Sequence, residues 1–212
     1  MRSAYSHAAA AACAALILLT AACPAPAAPG AKNSNEPSGL FMVAVDGKVG
    51  WIDRTGSIVI RPQFNPWFGT LGWWGSGFSE GLARVPTVGM DGKWGYIDKT
   101  GKMVINPQFD HAEDFAEGLA NVRLGEKWGY IDKTGKFVIN PQFDAADGFS
   151  EGLARVELDG KWGYIDKTGK IVIQPQFHEA CNFTGGFAYV DQYGDKWGYV
   201  DKTGKFVYSQ TH

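Results

Sequence analysis

The sequence predicts an all-β protein, a tandem array of five three-stranded antiparallel meanders of about 34 residues each. Three observations predict it. Composition is the first: 28 Gly, ten Pro and 14% aromatic residues in 212, with no Gly-X-Y period, favour short strands joined by tight turns. Internal repetition is the second. Lys93 to Phe109 reads KWGYIDKTGKMVINPQF, and together with Lys127 to Phe143 and Lys161 to Phe177 it makes three segments that vary at only two of seventeen positions. A diverged copy starts at Lys48 and a truncated one at Lys196, giving start-to-start spacings of 45, 34, 34 and 35. The third is alternation, since each copy follows a short segment such as Leu153 to Leu158, where Ala154, Val156 and Leu158 share one face.

The elements of one unit follow in order. Asp159-Gly160 is a two-residue hairpin turn that tolerates positive φ at both positions. Trp162 to Asp166 is a strand with Trp162 and Tyr164 on one face and Ile165 on the other. Asp166-Lys167-Thr168-Gly169 fits a turn ending in a left-handed glycine. Lys170 to Gln174 is the third strand, and Pro175, lacking an N–H, ends it. The stretch Asp144 to Gly152 reads as a loop between units. Apolar side chains on both faces require cover from both sides, and one meander is too small to stand alone. Stacking the units consecutively in a superhelical stack supplies that cover; a five-bladed, propeller-like ring is the alternative. The repeats span about 39–64, 81–109, 118–143, 152–177 and 186–210, in a domain of 39–210.

The Lys-Trp-Gly-Tyr-Ile-Asp-Lys-Thr-Gly-Lys core resembles the WG-containing (KWG) repeat family. The resemblance implies a bacterial β-repeat protein, often exported or at the surface, and brings no active site with it. Val49-Gly50-Trp51 departs from the pattern in the first copy, which suggests a capping unit.

The N-terminus reads as an export signal over 1–22. Arg2 precedes a thirteen-residue apolar run, Ala8 to Thr20, too short to span a bilayer, which needs about 20 apolar residues. Leu19-Thr20-Ala21-Ala22-Cys23 resembles a lipobox, making Cys23 the expected lipidation site; cleavage after Ala25-Pro26-Ala27 is the alternative. Residues 23–38 form the anchor cysteine and a flexible linker rich in Pro, Ala, Asn and Ser. If Cys23 carries lipid, Cys181 stands alone; if not, the two are able to pair.

Departures from the period are the candidate functional positions. Eight extra residues between Phe64 and Phe78 carry Trp67, Phe68, Trp73 and Trp74, a Gly-rich aromatic loop suited either to binding or to capping the first unit. A second insertion lies within Pro86 to Gly92. The recurring Lys93, Lys127, Lys161 and Lys196 read as solvated edge charges balanced by Asp98, Asp132, Asp166 and Asp201. Catalytic residues are not expected. His111 and His178 lie between repeats without metal-ligand spacing, Cys181 has no basic neighbour, and the carboxylate pairs Asp110/Glu113 and Asp144/Asp147 recur in linkers, where surface and turn roles are common. No metal or cofactor is expected.

The expected function is therefore non-catalytic binding at the bacterial cell envelope, through the repeat surface and the aromatic loop. The partner is an envelope protein or a glycan. A glycan-binding module is the alternative, and an envelope hydrolase a more remote one. The net charge of -2 offers no field for nucleic acid. Membrane contact is expected through the N-terminal lipid only, at the outer membrane, with a periplasmic or secreted chain as the alternative.

Overall fold

A computed structural model describes residues 39–65, 77–86, 92–193 and 196–211. The leader, Cys23 and the loop bearing Trp67, Phe68, Trp73 and Trp74 lie outside the described residues. Within them the chain is all-β and forms five antiparallel sheets in chain order. The first contains β1 (Phe41–Val45), β2 (Lys48–Ile52) and β3 (Ile58–Phe64). The second contains β4 (Leu82–Pro86), β5 (Trp94–Asp98) and β6 (Met103–Phe109). The third contains β7 (His111–Ala112), β8 (Ala120–Leu124), β9 (Lys127–Ile131) and β10 (Phe137–Phe143). The fourth contains β11 (Ala145–Ala146), β12 (Leu153–Leu158), β13 (Lys161–Asp166) and β14 (Ile171–Phe177). The fifth contains β15 (Glu179–Ala180), β16 (Phe187–Gln192), β17 (Lys196–Asp201) and β18 (Phe206–Thr211).

The turns obey their local chemistry. Asp159 and Gly160 have φ of 50° and 72°, and Asp46 and Gly47 repeat the pair at 49° and 71°. In the second turn of each unit an aspartate ties the chain to itself. Asp132 Oδ1 accepts the Thr134 N–H at 2.8 Å, the Thr134 hydroxyl at 2.6 Å and the Lys136 N–H at 3.1 Å. Asp53, Asp98, Asp166 and Asp201 make the same three contacts in their turns.

Two expectations about the meander are corrected. The third strand does not stop at its proline: β14 runs through Pro175 to Phe177. Trp162 pairs with Phe177 and Tyr164 with Ile173, so between these pairs one residue of β13, Gly163, opposes three of β14. The surplus bulges against Gly163, where a Cβ would lie 2.6 Å from the Ile173 carbonyl oxygen and 2.7 Å from the Pro175 nitrogen. Glycine makes room, and proline, with no N–H to satisfy, fits the bulge. The linkers, in turn, are not only loops. His111–Ala112, Ala145–Ala146 and Glu179–Ala180 each add a fourth edge strand to the sheet that follows.

Both faces of the repeat are buried, as the alternation requires. Tyr130, Ile139 and Phe143 of the third sheet pack on Val156 and Ile165 of the fourth. The same groups join the second sheet to the third and the fourth to the fifth, and Trp51 and Ile60 join the first to the second. Each fully buried aromatic or branched side chain contributes about 1.5–3 kcal/mol, so the sheet junctions carry most of the stability. Edge hydrogen bonds align them. Tyr96, Tyr130 and Tyr164 hydroxyls donate to the carbonyls of Glu113, Asp147 and Cys181 in the next lead-in, each at 2.7 Å. Burial pushes all three phenols far above their usual range.

The array is open. Tyr96, Tyr130 and Tyr164 are at most 1% exposed, whereas Tyr199, their counterpart in the fifth sheet, is 41% exposed. A ring would cover it with the first sheet. A second ladder also stops there. Glu80, Glu117 and Glu151 each accept the N–H of a glycine in the next unit (Gly118, Gly152 and Gly186) and pair with its turn lysine, Lys133, Lys167 or Lys202. The fifth unit has Gly185 in place of the glutamate.

Candidate functional site

Where the repeats are alike, their polar groups are used up by the fold. Lys93 pairs with Asp110 and Lys127 with Asp144, each at 2.5 Å. The acids that balance these lysines are thus in the linkers, and the turn aspartates expected in that role are occupied by their own turns. Asp110 also accepts the Gly125 N–H, and Asp144 that of Asp159. These contacts hold both carboxyls below the usual range, the lysine hydrogen bond being the largest cause. The Asp110/Glu113 and Asp144/Asp147 pairs are therefore built into the scaffold.

At the junction of the third and fourth sheets the repeat departs from its neighbouring units, and a cleft opens there. A cleft of about 530 Å³ lies between the lead-ins of the third and fourth sheets; its lining includes Ala116, Asn121, Trp128, Asp147 and Gly148. Three of these replace what neighbouring units carry. Ala116 stands where Ser79 and Ser150 donate to the Phe115 and Phe183 carbonyls at 2.6 and 2.7 Å. Asn121 pairs with Tyr130 in the register position where Arg84 faces Tyr96 and Arg155 faces Tyr164. Gly148 occupies the place of Asp114 and Asn182. Each change shortens a side chain, and the cleft is the space left.

The walls are polar. Asn121 is 2% exposed and donates from Nδ2 to the Ala146 carbonyl at 2.7 Å, while its Oδ1 has no partner. An unsatisfied buried acceptor of this kind costs about 1–3 kcal/mol. Asp147 receives Arg155 Nε on Oδ2 at 2.6 Å. On the opposite side His111 lies between two indoles, with ring centroids 5.6 Å from Trp94 and 5.4 Å from Trp128. Its Nε2 is 2.8 Å from Glu113 Oε1, and Glu113 also takes Arg84 at 2.6 Å. Burial works to raise the Glu113 carboxyl, but the His111 and Arg84 contacts outweigh it and leave it below its usual value. The cleft is thus an acceptor-rich pocket with an aromatic wall.

The other residues considered from sequence fall elsewhere. His178 stacks on Tyr193 at 4.2 Å. Cys181 is disulfide-bonded, its partner lying outside the described residues, so no free thiol is available there. Among the described residues no cluster of His, Cys, Asp or Glu is placed to hold a metal ion. Asn121 and Gly148 escaped the sequence reading. Their signal was present in the aligned repeats, as the columns Arg84/Asn121/Arg155 and Asp114/Gly148/Asn182.

Repeated sheets, the Trp-Gly strand and the glycine bulge together define a β-repeat protein. The chain belongs to the WG containing repeat family, which matches residues 50–65, 94–128, 128–162 and 162–197 and so more than half of the sequence. No curated protein matches it. Among solved structures it is similar to the computationally designed Ika8 protein (12% identity, TM-score 0.47, 81% of this chain and 57% of that one). It is also similar to BamB from Moraxella catarrhalis (12%, 0.48, 82% and 61%) and to the WD40 beta propeller domain of Doa1 (15%, 0.37, 79% and 67%). The chain spans less than two thirds of the length of the first two. These are distant likenesses and carry nothing about activity.

Proposed function

We propose that this WG-repeat protein is a non-catalytic binding protein of the bacterial cell envelope, held there by lipid on Cys23 where that residue is not the partner of the Cys181 disulfide. The observation that carries the binding reading is the departure of the repeat at the third–fourth junction, where three shortened side chains open a polar cleft beside the unpartnered Asn121 Oδ1. The envelope placement rests on the leader, the Cys23 motif and the Pro- and Ala-rich linker. Trp67, Phe68, Trp73 and Trp74 supply a second contact surface.

Chemical crosslinking in the protein's own cells followed by capture of the anchored chain tests the reading. A discrete partner, lost when the cleft or the aromatic loop is altered, is the expected result. If extracts of the envelope are turned over catalytically, or if no adduct forms with either surface intact, the binding reading fails. Binding to an envelope glycan that is abolished by Trp73→Ala and Trp74→Ala would favour the glycan module. Lipid on Cys23 and a disulfide from Cys23 to Cys181 exclude each other, so the intact mass of the mature chain separates them. Palmitate incorporation is expected in wild type and lost in Cys23→Ala; incorporation that survives that change removes the anchor.

A further inference from the structure

We infer that the cleft between the third and fourth sheets is a receptor for a guanidinium group, the side chain of an arginine on a partner protein. The inference deepens the binding reading above and rests on it for its biological context. Its ground is a comparison of the protein with itself.

In the second unit the Arg84 guanidinium fills the corresponding place. It lies over the Trp94 ring, Cζ to centroid 5.6 Å, donates to the Ala112 carbonyl at 2.6 Å, and meets Glu113 at 2.6 Å and Asp114 at 3.2 Å. In the fourth unit Arg155 lies over Trp162 at 4.6 Å, donates to the Ala180 carbonyl and meets Asp147 at 2.6 Å. The third unit keeps the indole and one lead-in carboxylate but loses the arginine; Gly148 stands where Asp114 does, and Asn121 Nδ2 takes the Ala146 carbonyl. Trp128 is present with no cation over it among the described residues. Asp147 uses only Oδ2 for Arg155. The side chain of Asn121 is nearly fully buried and leaves Oδ1 without a donor. A guanidinium entering the cleft stacks on an indole and offers N–H groups to a carboxylate oxygen and an amide oxygen at once, the planar, forked recognition that a lysine ammonium does not reproduce. Ala116 and Gly148 widen the approach. A Cβ at Gly148 would be 3.5 Å from Ala116 Cβ, an ordinary contact, so the glycine keeps this wall low without any backbone demand.

The experiment uses the full chain labelled with nitrogen-15 and titrates N-acetyl-arginine-N-methylamide, with the lysine and citrulline analogues as controls. Saturable shifts are expected at the Trp128 indole N–H and the Asp147 and Gly148 amides. The lysine analogue should bind at least about threefold more weakly, and the neutral citrulline analogue about tenfold or more. Asn121→Arg places an internal guanidinium in the cleft, as two neighbouring units do, and should abolish these shifts while the chain stays folded. If it does not fold, Trp128→Leu removes the stacking wall and should weaken binding about tenfold. No saturation in wild type, shifts centred elsewhere, or equal binding by the folded variants overturns the proposal. That outcome leaves the crosslinking result untouched, and a failed capture leaves the titration untouched, so the two readings fail separately.

Discussion

Glycine and aspartate do most of the local work. Gly129 and Gly125 show that one residue type meets two different demands. At Gly129 a Cβ would lie 2.6 Å from the Ile139 carbonyl oxygen and 2.7 Å from the Pro141 nitrogen, whereas at Gly125, with φ of +66°, the space is open. Gly129→Ala should therefore cost about 2–3 kcal/mol through overpacking, and Gly125→Ala about 1 kcal/mol through left-handed backbone strain, both read by urea denaturation. Equal costs would contradict the bulge geometry. The turn aspartates predict a pH response. Hydrogen bonds from Thr100, Thr134, Thr168 and Thr203 are the largest cause holding Asp98, Asp132, Asp166 and Asp201 below the usual 3.8. A depressed folded value means the ionised form favours the fold, so this contribution is complete above the unfolded value and is lost as pH falls below about 4. Thermal melts of wild type should decline from pH 5 to pH 3 more steeply than those of a chain with all four changed to Asn; parallel curves would contradict it. The turns were legible in the sequence because their chemistry is contained in four residues. The path through Pro175 was not, because Gly163 and Pro175 are far apart in sequence and only strand pairing brings them together.

At the scale of elements, the strands that alternate were readable and the two-residue edge strands were not. His111–Ala112 and its counterparts are too short to show a period, and pairing with the following strand defines them. The cleft was hidden for a related reason. Each of its three departures is an ordinary small residue, and only the register that places Asn121 opposite Tyr130, as Arg84 lies opposite Tyr96, shows what is missing. Restoring the repeat there should strengthen the junction. Ala116→Ser gives a hydroxyl placed as in Ser79 and Ser150, whose bonds to Phe115 and Phe183 bridge adjacent units. The gain should be about 1 kcal/mol in urea unfolding. A loss of stability would show that the third junction is shaped differently from its neighbours.

The whole molecule is a one-dimensional stack in which each sheet touches the ones before and after it. Stability in such arrays is close to a sum of unit and junction contributions. The exposed Tyr199 and the replacement of the ladder glutamate by Gly185 mark its C-terminal end. Removing the fifth sheet after Phe177 should lower stability by one junction and leave the first four folded, as judged by retained far-ultraviolet circular dichroism and a cooperative melt. A closed ring would lose cooperativity altogether. Repetition made this architecture legible from sequence spacing alone. What spacing left open, stack or ring, was decided by the exposure of Tyr199 on the fifth sheet.

The central claim is that recognition is concentrated where the repeat lapses. Site-specific photocrosslinking in the protein's own cells tests it most directly, with the photoreactive residue placed in turn at Ala145 beside the cleft, at Val172 on an intact repeat surface, and at Phe68 in the aromatic loop. The account predicts a discrete adduct from Ala145 that disappears in Asn121→Arg, and none from Val172. Adducts from Val172 alone, or an Ala145 adduct indifferent to Asn121→Arg, would contradict it.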